Sequence, residues 1–221
     1  RYLFSPKKNG QVQNIPQAKR NVISLWNADQ YDAPRVGGKF ANLGESEKVV
    51  RGEGGQVPNG LDVTTDAFET YLVEQGIRGE YKGLVGELDA LYEDTSMEEG
   101  ERSFQILEKA HEIRDLIERH PLDPAGVLGV EIMEALEANG LGTMPLMVRS
   151  SSVQEDTPGA AFAGAAKTFS NVDRANVLRK VKEIWMSFWL PRGVGYRAHQ
   201  GIKQKEVQPA VIVQEMVKAE V

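Results

Sequence analysis

The segment at residues 144–172 constrains the fold of this chain more than any other. It begins with an apolar run at 144–148, which is typical of a β-strand, and continues with Arg149 and three serines. A Pro-Gly pair at 158–159 predicts a tight turn, and small residues then continue to Thr168. The pattern predicts a strand that ends at an arginine and passes into a loop with few large side chains.

The arginine at this position favours an anion-binding site. Its guanidinium is a planar group of donors that matches carboxylate or phosphate oxygens. The alanines and glycines that follow leave the main chain open to a ligand. A structural alternative stays open, in which Arg149 pairs with Glu155 or Asp156 and the small residues only allow close packing.

A second candidate for anion binding is the Gly37-Gly38-Lys39 segment, which precedes the helix-forming sequence FANLGE. The first amides of a helix have no partner within the helix and bear partial positive charge, and Lys39 adds an ammonium group. The spacing is not that of a Walker A loop. The alternative is a turn before a helix with a solvated lysine.

Apolar periodicity along the rest of the chain predicts both strands and helices. Strands are predicted at 21–26, 61–64 and 208–217, and helices at 66–74, at three acidic segments within 76–140, and at 177–190. The Asn139-Gly140 pair is predicted to end the last helix of the acidic region. Apolar residues at helical spacing are predicted to face the core, namely Phe68, Tyr71, Leu72, Phe104, Leu107, Ile113, Leu116, Ile117, Val181, Ile184 and Trp185.

Composition excludes several classes of site and partner. There is no cysteine, so disulfides, thiolate zinc sites and cysteine nucleophiles are excluded, and the three histidines lack metal-ligand spacing. The net charge of −6 argues against a broad contact with nucleic acid. No apolar run approaches the length of a membrane span and no secretory signal is visible, which predicts a cytoplasmic protein without membrane contact.

Four motifs in order resemble one known family. They are VGGKFANLGE at 36–45, VPNGLDVTTDAFETYL at 57–72, VRSSSVQEDTPGAAFAGAAKTFSNV at 148–172, and EIWMSFWLPRGVGYRAHQGI with AVIVQEMVKAE over 183–220. These motifs are similar to the N-terminal nucleotide-binding domain of phosphoenolpyruvate synthase and pyruvate, phosphate dikinase, which rifampin phosphotransferases share. The resemblance runs from about Val36 to the last residue.

The resemblance implies an incomplete ATP-grasp-like nucleotide-binding domain of the α+β class. Residues 1–35 are expected to be an N-terminal extension. Residues 36–221 are expected to be the N-terminal portion of the domain, with a helical insertion at about 76–140. Because the chain starts at Arg1 and stops just after a predicted strand, we expect it to be part of a longer protein.

The resemblance also implies a set of ATP-binding residues. Lys39 and Arg149 are expected at the phosphates, and Gly164 and Thr168 in the run of small residues that follows Arg149. Gln214 is expected near the nucleotide, with Glu215, Met216 and Val217 along its base. No catalytic residue and no metal ligand is assigned within the chain, because the ligands of Mg²⁺ are expected outside it.

The implied function is ATP-dependent phosphorylation of a carrier histidine in a domain absent here, followed by transfer to pyruvate or a related acceptor. The 221 residues alone are expected to be inactive. The alternative is a non-catalytic regulatory or interaction domain that retains the ATP-grasp scaffold. Two departures from the family pattern are Ala165 and the PRGVGYR sequence, whose Arg197 could be structural. The final phosphoryl acceptor stays open.

Overall fold

The computed structural model describes residues 20–152 and 167–217. Within these ranges the chain forms one five-stranded sheet in the order β1-β2-β5-β3-β4, and each neighbouring pair is antiparallel. The strands are β1 (Val22–Ser24), β2 (Gly60–Val63), β3 (Leu146–Ser152), β4 (Thr168–Val172) and β5 (Pro209–Glu215). The three predicted strands before and after the helical region are therefore confirmed, with β5 in the centre of the sheet.

Seven α-helices lie in the described ranges. They are α1 (Ala33–Gly52), α2 (Thr65–Glu74), α3 (Arg78–Glu93), α4 (Glu99–Arg119), α5 (Val127–Ala138), α6 (Val177–Ser187) and α7 (Pro191–His199). The three helices predicted within 76–140 are confirmed as α3, α4 and α5. Gly140 ends α5 as predicted, since its φ of 69° is left-handed and the Leu141 N–H donates to the Leu136 carbonyl at 2.8 Å.

Side chains on the two faces of the sheet enter two separate apolar cores. Alternate residues of a strand point to opposite faces. Leu61 and Val63 face the larger core, which also contains buried residues of α2 to α6. Ile23 and Ile212 face a smaller core, which is closed by α1 through Val36 and Phe40. The sheet is therefore covered on both sides, and α1 is the cover of the smaller core.

Three predictions from the sequence were wrong in detail. Arg149 does not end its strand, because β3 continues to Ser152. Phe104 and Leu107 do not face the core but are 59% and 47% exposed, since α4 turns Ile106, Ala110 and Ile113 inward instead. The helix predicted at 177–190 ends at Ser187, and a separate helix, α7, begins at Pro191, whose missing N–H is not needed at the first helical position.

Across the part of the chain that the structure describes, none of the helices combines the length and the apolar character that crossing a membrane requires.

Candidate functional site

Arg149 lies near the middle of β3, between two strands that contain other predicted site residues. Its Cα is paired with that of Thr168 in β4 and with that of Ile212 in β5. Gln214 lies two residues along β5, on the same face as Ile212. The structure therefore brings Arg149, Thr168 and Gln214 together on three adjacent strands, although 65 residues separate Arg149 and Gln214 in the sequence.

A β-bulge in β4 sets the pairing of Arg149 with Thr168. Leu146 pairs with Val172, whereas Val148 pairs with Phe169, so β4 has one residue more than β3 over this interval. Asn171, with a φ of 57°, lies in the extra length and takes a left-handed conformation that asparagine tolerates. Without the bulge Phe169 would lie opposite Arg149, so the bulge puts the exposed Thr168 hydroxyl there instead.

Gln214 contacts Arg149 directly through its side chain. The Nη2 of Arg149 donates to Oε1 of Gln214 at 3.3 Å, and Nε2 of Gln214 donates to the carbonyl of Pro58 at 2.9 Å. Gln214 is buried and Arg149 is partly buried. Gly60 lies opposite Gln214, and a Cβ there would come within 3.3 Å of the Gln214 Cβ, so glycine allows this close approach.

Helix α1 lies on the sheet face that contains Arg149. The Oγ of Ser151, two residues after Arg149, donates to the carbonyl of Val36. Gly37 then has a φ of 72°, which interrupts the helix, and the chain resumes helical geometry with Lys39 exposed in its first turn. Helical geometry thus resumes at Gly38, between the two glycines, whereas the sequence predicts a helix that begins after Lys39; residues 33–36 before the interruption are helical as well. A common ligand for Lys39 and Arg149 stays a prediction.

The last predicted residues of the site lie at the end of β5. The N–H of Glu215 donates to the Asn59 carbonyl at 2.8 Å, and the N–H of Met216 donates to the Pro145 carbonyl at 3.0 Å. Both main-chain donors are thus already used within the protein. Val217 is 62% exposed. Beside Glu215 is a cavity of about 350 Å³ that Trp26, Glu47, Arg51, Gly55, Gln56, Val57 and Asn59 also line.

Gly164 lies outside the described residues, as do Glu155, Asp156 and Ala165, so the alternative ion pairs of Arg149 stay predictions too. Sequence reasoning missed Pro58 and Ser151. It took Pro58 as part of a turn and Ser151 as part of a serine run. The residue types alone do not indicate these roles. Pro58 acts through its main-chain carbonyl, and Ser151 contacts a residue 115 positions away in the sequence.

Arg197 has a structural role, as the sequence analysis allowed. Two hydrogen bonds of its guanidinium connect α7 to neighbouring segments. Its Nε donates to Oε1 of Gln204 and its Nη2 to the Phe188 carbonyl, both at 2.7 Å. Burial lowers the pKa of Arg197 to about 10. The predicted core residue Trp185 is fully buried, as is Trp189, whose ring lies 5.3 Å from the Arg197 guanidinium.

Carboxylates do not form a metal site in the portion described: no three of its Asp, Glu and His side chains lie close enough together to hold an ion. The cationic and amide groups around Arg149 can bind and orient an anion.

Comparison with known proteins gives the family. Residues 33–221 match the family described as "Pyruvate phosphate dikinase, AMP/ATP-binding domain". The chain is 35% identical over 202 residues to a phosphoenolpyruvate synthase of Pseudomonas aeruginosa, which covers 90% of this chain and 24% of that protein. It is 36% identical over 201 residues to a probable phosphoenolpyruvate synthase of Archaeoglobus fulgidus, covering 90% of this chain and 25% of the relative.

A rifampicin phosphotransferase of Streptomyces sviceus is 36% identical over 202 residues, which cover 90% of this chain and 21% of that enzyme. The chain thus spans about a quarter of the length of these relatives. The family match extends over most of the chain and includes each strand of the sheet except β1. The chain therefore belongs to the family of pyruvate phosphate dikinase AMP/ATP-binding domains.

Proposed function

We propose that this chain is the ATP-binding part of a phosphoenolpyruvate synthase-like phosphotransferase, built on an incomplete ATP-grasp-like scaffold. ATP would phosphorylate a histidine of a carrier domain outside these residues, and the phosphoryl group would then pass to pyruvate or a related acceptor. The family assignment and the phosphotransferase names of the relatives support this class of reaction.

The observation that carries the proposal is the grouping of Arg149, Thr168 and Gln214 on adjacent strands, two of which, β3 and β5, pack against α1. Phosphoryl transfer depends mainly on positioning and on neutralising the charge of the phosphates. Arg149 and Lys39 supply positive charge, Thr168 supplies a hydroxyl donor, and Gly164 allows close approach of the main chain. Glu215 to Val217 follow Gln214 and lie along the base.

Magnesium is the metal that such a reaction needs, and its ligands are expected among residues outside this chain. The Asp, Glu and His residues with described positions do not fit a magnesium site. When bound, the ion would neutralise phosphate charge. The residues present here would bind and orient the nucleotide but would not complete the catalytic site.

Arg149→Ala tests the proposal in the whole natural protein that contains these residues. Hydrogen bonds to charged groups contribute about 1.5–3 kcal/mol each, so we expect ATP affinity to fall about 10-fold to 150-fold. Isothermal titration calorimetry measures the affinity, and a phosphotransfer assay measures the activity. Arg179→Ala is the matched control, because Arg179 is an exposed arginine of α6.

Unchanged ATP affinity and activity in Arg149→Ala would contradict the enzyme proposal. That result would favour the alternative of a non-catalytic regulatory or interaction domain that retains the scaffold. Loss of ATP affinity in Arg149→Ala, with normal affinity in Arg179→Ala, would exclude a general effect of removing a positive charge.

A further inference from the structure

The side chain of Gln214 makes hydrogen bonds to two separate parts of the proposed site. On one side it contacts the segment 58–60, which is fixed to β5 by pairing of Gly60 with Gln214 and by the bond from the Glu215 N–H to the Asn59 carbonyl. On the other side it contacts the long side chain of Arg149. The amide nitrogen of Gln214 is thus bound to the main chain of Pro58, and its amide oxygen accepts a hydrogen bond from the charged Arg149 side chain.

The donor and acceptor properties of Pro58 and Arg149 fix the orientation of the Gln214 amide. The Pro58 carbonyl can only accept a hydrogen bond, so the amide nitrogen of Gln214 must face it. The amide oxygen must then face the opposite way, toward Nη2 of Arg149, which can only donate. A reversed amide would place its NH2 group against the donors of the Arg149 guanidinium and its oxygen against the Pro58 carbonyl oxygen. Because Gln214 is buried, water could not compensate for these two lost hydrogen bonds.

The neutral charge of Gln214 has a functional consequence. A glutamate in the same place would form an ion pair with Arg149 and cancel much of its charge. An amide oxygen orients the guanidinium but leaves its positive charge in place for an anionic ligand. Glutamine therefore orients the guanidinium without adding a negative charge beside it, which neither a carboxylate nor an apolar side chain of the same length can do.

We propose that Gln214 is a positioning residue, which transfers the fixed orientation of the Pro58 carbonyl to the Arg149 guanidinium and so sets the geometry of phosphate binding. This inference rests on the proposed ATP-binding function. It differs from a role in reading the base, because it assigns the contribution of Gln214 to the phosphates through Arg149.

The test compares ATP with inorganic tripolyphosphate, which has no base. Affinities are measured by isothermal titration calorimetry in the whole natural protein for Gln214→Met, Gln214→Glu and the control Gln105→Met. Gln105 is a partly exposed residue of α4 whose amide nitrogen donates to the carboxylate of Glu101, one turn earlier. Methionine keeps the length of the side chain but makes no strong hydrogen bond, and glutamate keeps the shape but adds negative charge.

We expect Gln214→Met to weaken both ligands by a similar factor of about 3 to 15, the range for one lost hydrogen bond. Gln214→Glu should weaken both by more, because it also reduces the charge of Arg149, and Gln105→Met should change neither. Circular dichroism establishes that each variant is folded. If Gln214→Met does not fold, the glutamate variant, which keeps the shape of the side chain, gives the same comparison.

Two outcomes would overturn the inference. If Gln214→Met weakens ATP but leaves tripolyphosphate unchanged, Gln214 acts on the base. If Arg149→Ala weakens both ligands while Gln214→Met and Gln214→Glu bind both normally, Gln214 does not position Arg149. In contrast, normal ATP affinity in Arg149→Ala would contradict the proposed function itself. In the double variant Arg149→Ala/Gln214→Met, we expect no further loss beyond Arg149→Ala, since Gln214 acts through Arg149.

Discussion

At the scale of single residues, Asp62 is the carboxylate that the sheet buries completely. It lies in β2 between Ile23 and Ile212, in the row that continues to Arg149 and Thr168. Among the described residues, neither of its carboxylate oxygens has a hydrogen-bond partner. Burial raises the pKa of Asp62 well above its usual value, because desolvation disfavours the charged form.

The raised pKa predicts that Asp62 destabilises the fold as pH rises. The unfolded chain loses this proton near pH 4, whereas the folded chain keeps it to higher pH. Between these two values the folded state binds more protons, so the free energy of unfolding falls by about 1.4 kcal/mol per pH unit. We expect Asp62→Asn to remove this fall.

Thermal unfolding followed by circular dichroism at pH 5, 6, 7 and 8 measures the effect. The control is Asp123→Asn, the same change at an exposed position in the loop before α5. An Asp62→Asn variant whose unfolding temperature has the same pH dependence as the natural protein would show that Asp62 is ionised in the folded state.

At the scale of secondary structure, α3 contains three glycines in positions where alanine fits. A Cβ added to Gly79, Gly83 or Gly86 would meet nothing within 4 Å. Glycine in a helix interior costs about 1 kcal/mol relative to alanine, because it loses more backbone entropy. The helix therefore forms through packing of Tyr81, Val85 and Leu88, which are buried, rather than through helix propensity.

Gly83→Ala should raise the free energy of unfolding by about 0.5–1 kcal/mol. Gly140→Ala is the opposite control: the space around it is also open, but its φ of 69° disfavours a Cβ, so we expect a loss of about 1–2 kcal/mol. Urea denaturation midpoints measure both. A destabilising Gly83→Ala would indicate that the exposed face of α3 needs to be free of side chains.

Secondary structure was predictable where pattern and packing agreed. The apolar runs gave β3 and β5, and the helical spacing gave α2 to α6. Phe104 and Leu107 were predicted as core residues because they continue the apolar spacing of α4, yet the structure leaves both exposed. A helix has only one face against the sheet or its neighbours, and the sequence alone does not say which of two possible apolar faces that is.

At the scale of the whole molecule, the proposed nucleotide site is made from distant parts of the chain, and three of its residues lie on one sheet. Arg149, Thr168 and Gln214 are on its strands, and α1 covers the same face. The chain spans about a quarter of its relatives, and the acidic residues with described positions do not converge on a metal site. These residues thus supply only part of the ATP site of the proposed enzyme.

The isolated 221 residues should therefore bind ATP-Mg more weakly than the whole natural protein and should show no turnover. We expect at least a 10-fold lower affinity, because the remaining charge neutralisation is missing. Isothermal titration calorimetry on both chains measures this difference. Equal affinity in the two would contradict the idea that the ATP site is divided between these residues and others.

The sequence by itself determined the family, the α+β class, and the residue types that could bind phosphate, since local patterns and motifs contain that information. Only the tertiary structure decided which side chains meet. A bulge at Asn171 shifts β4 by one residue and puts Thr168, rather than Phe169, opposite Arg149. Because strand side chains alternate with a period of two, such a shift exchanges the two faces, and only the packing of the whole sheet fixes it.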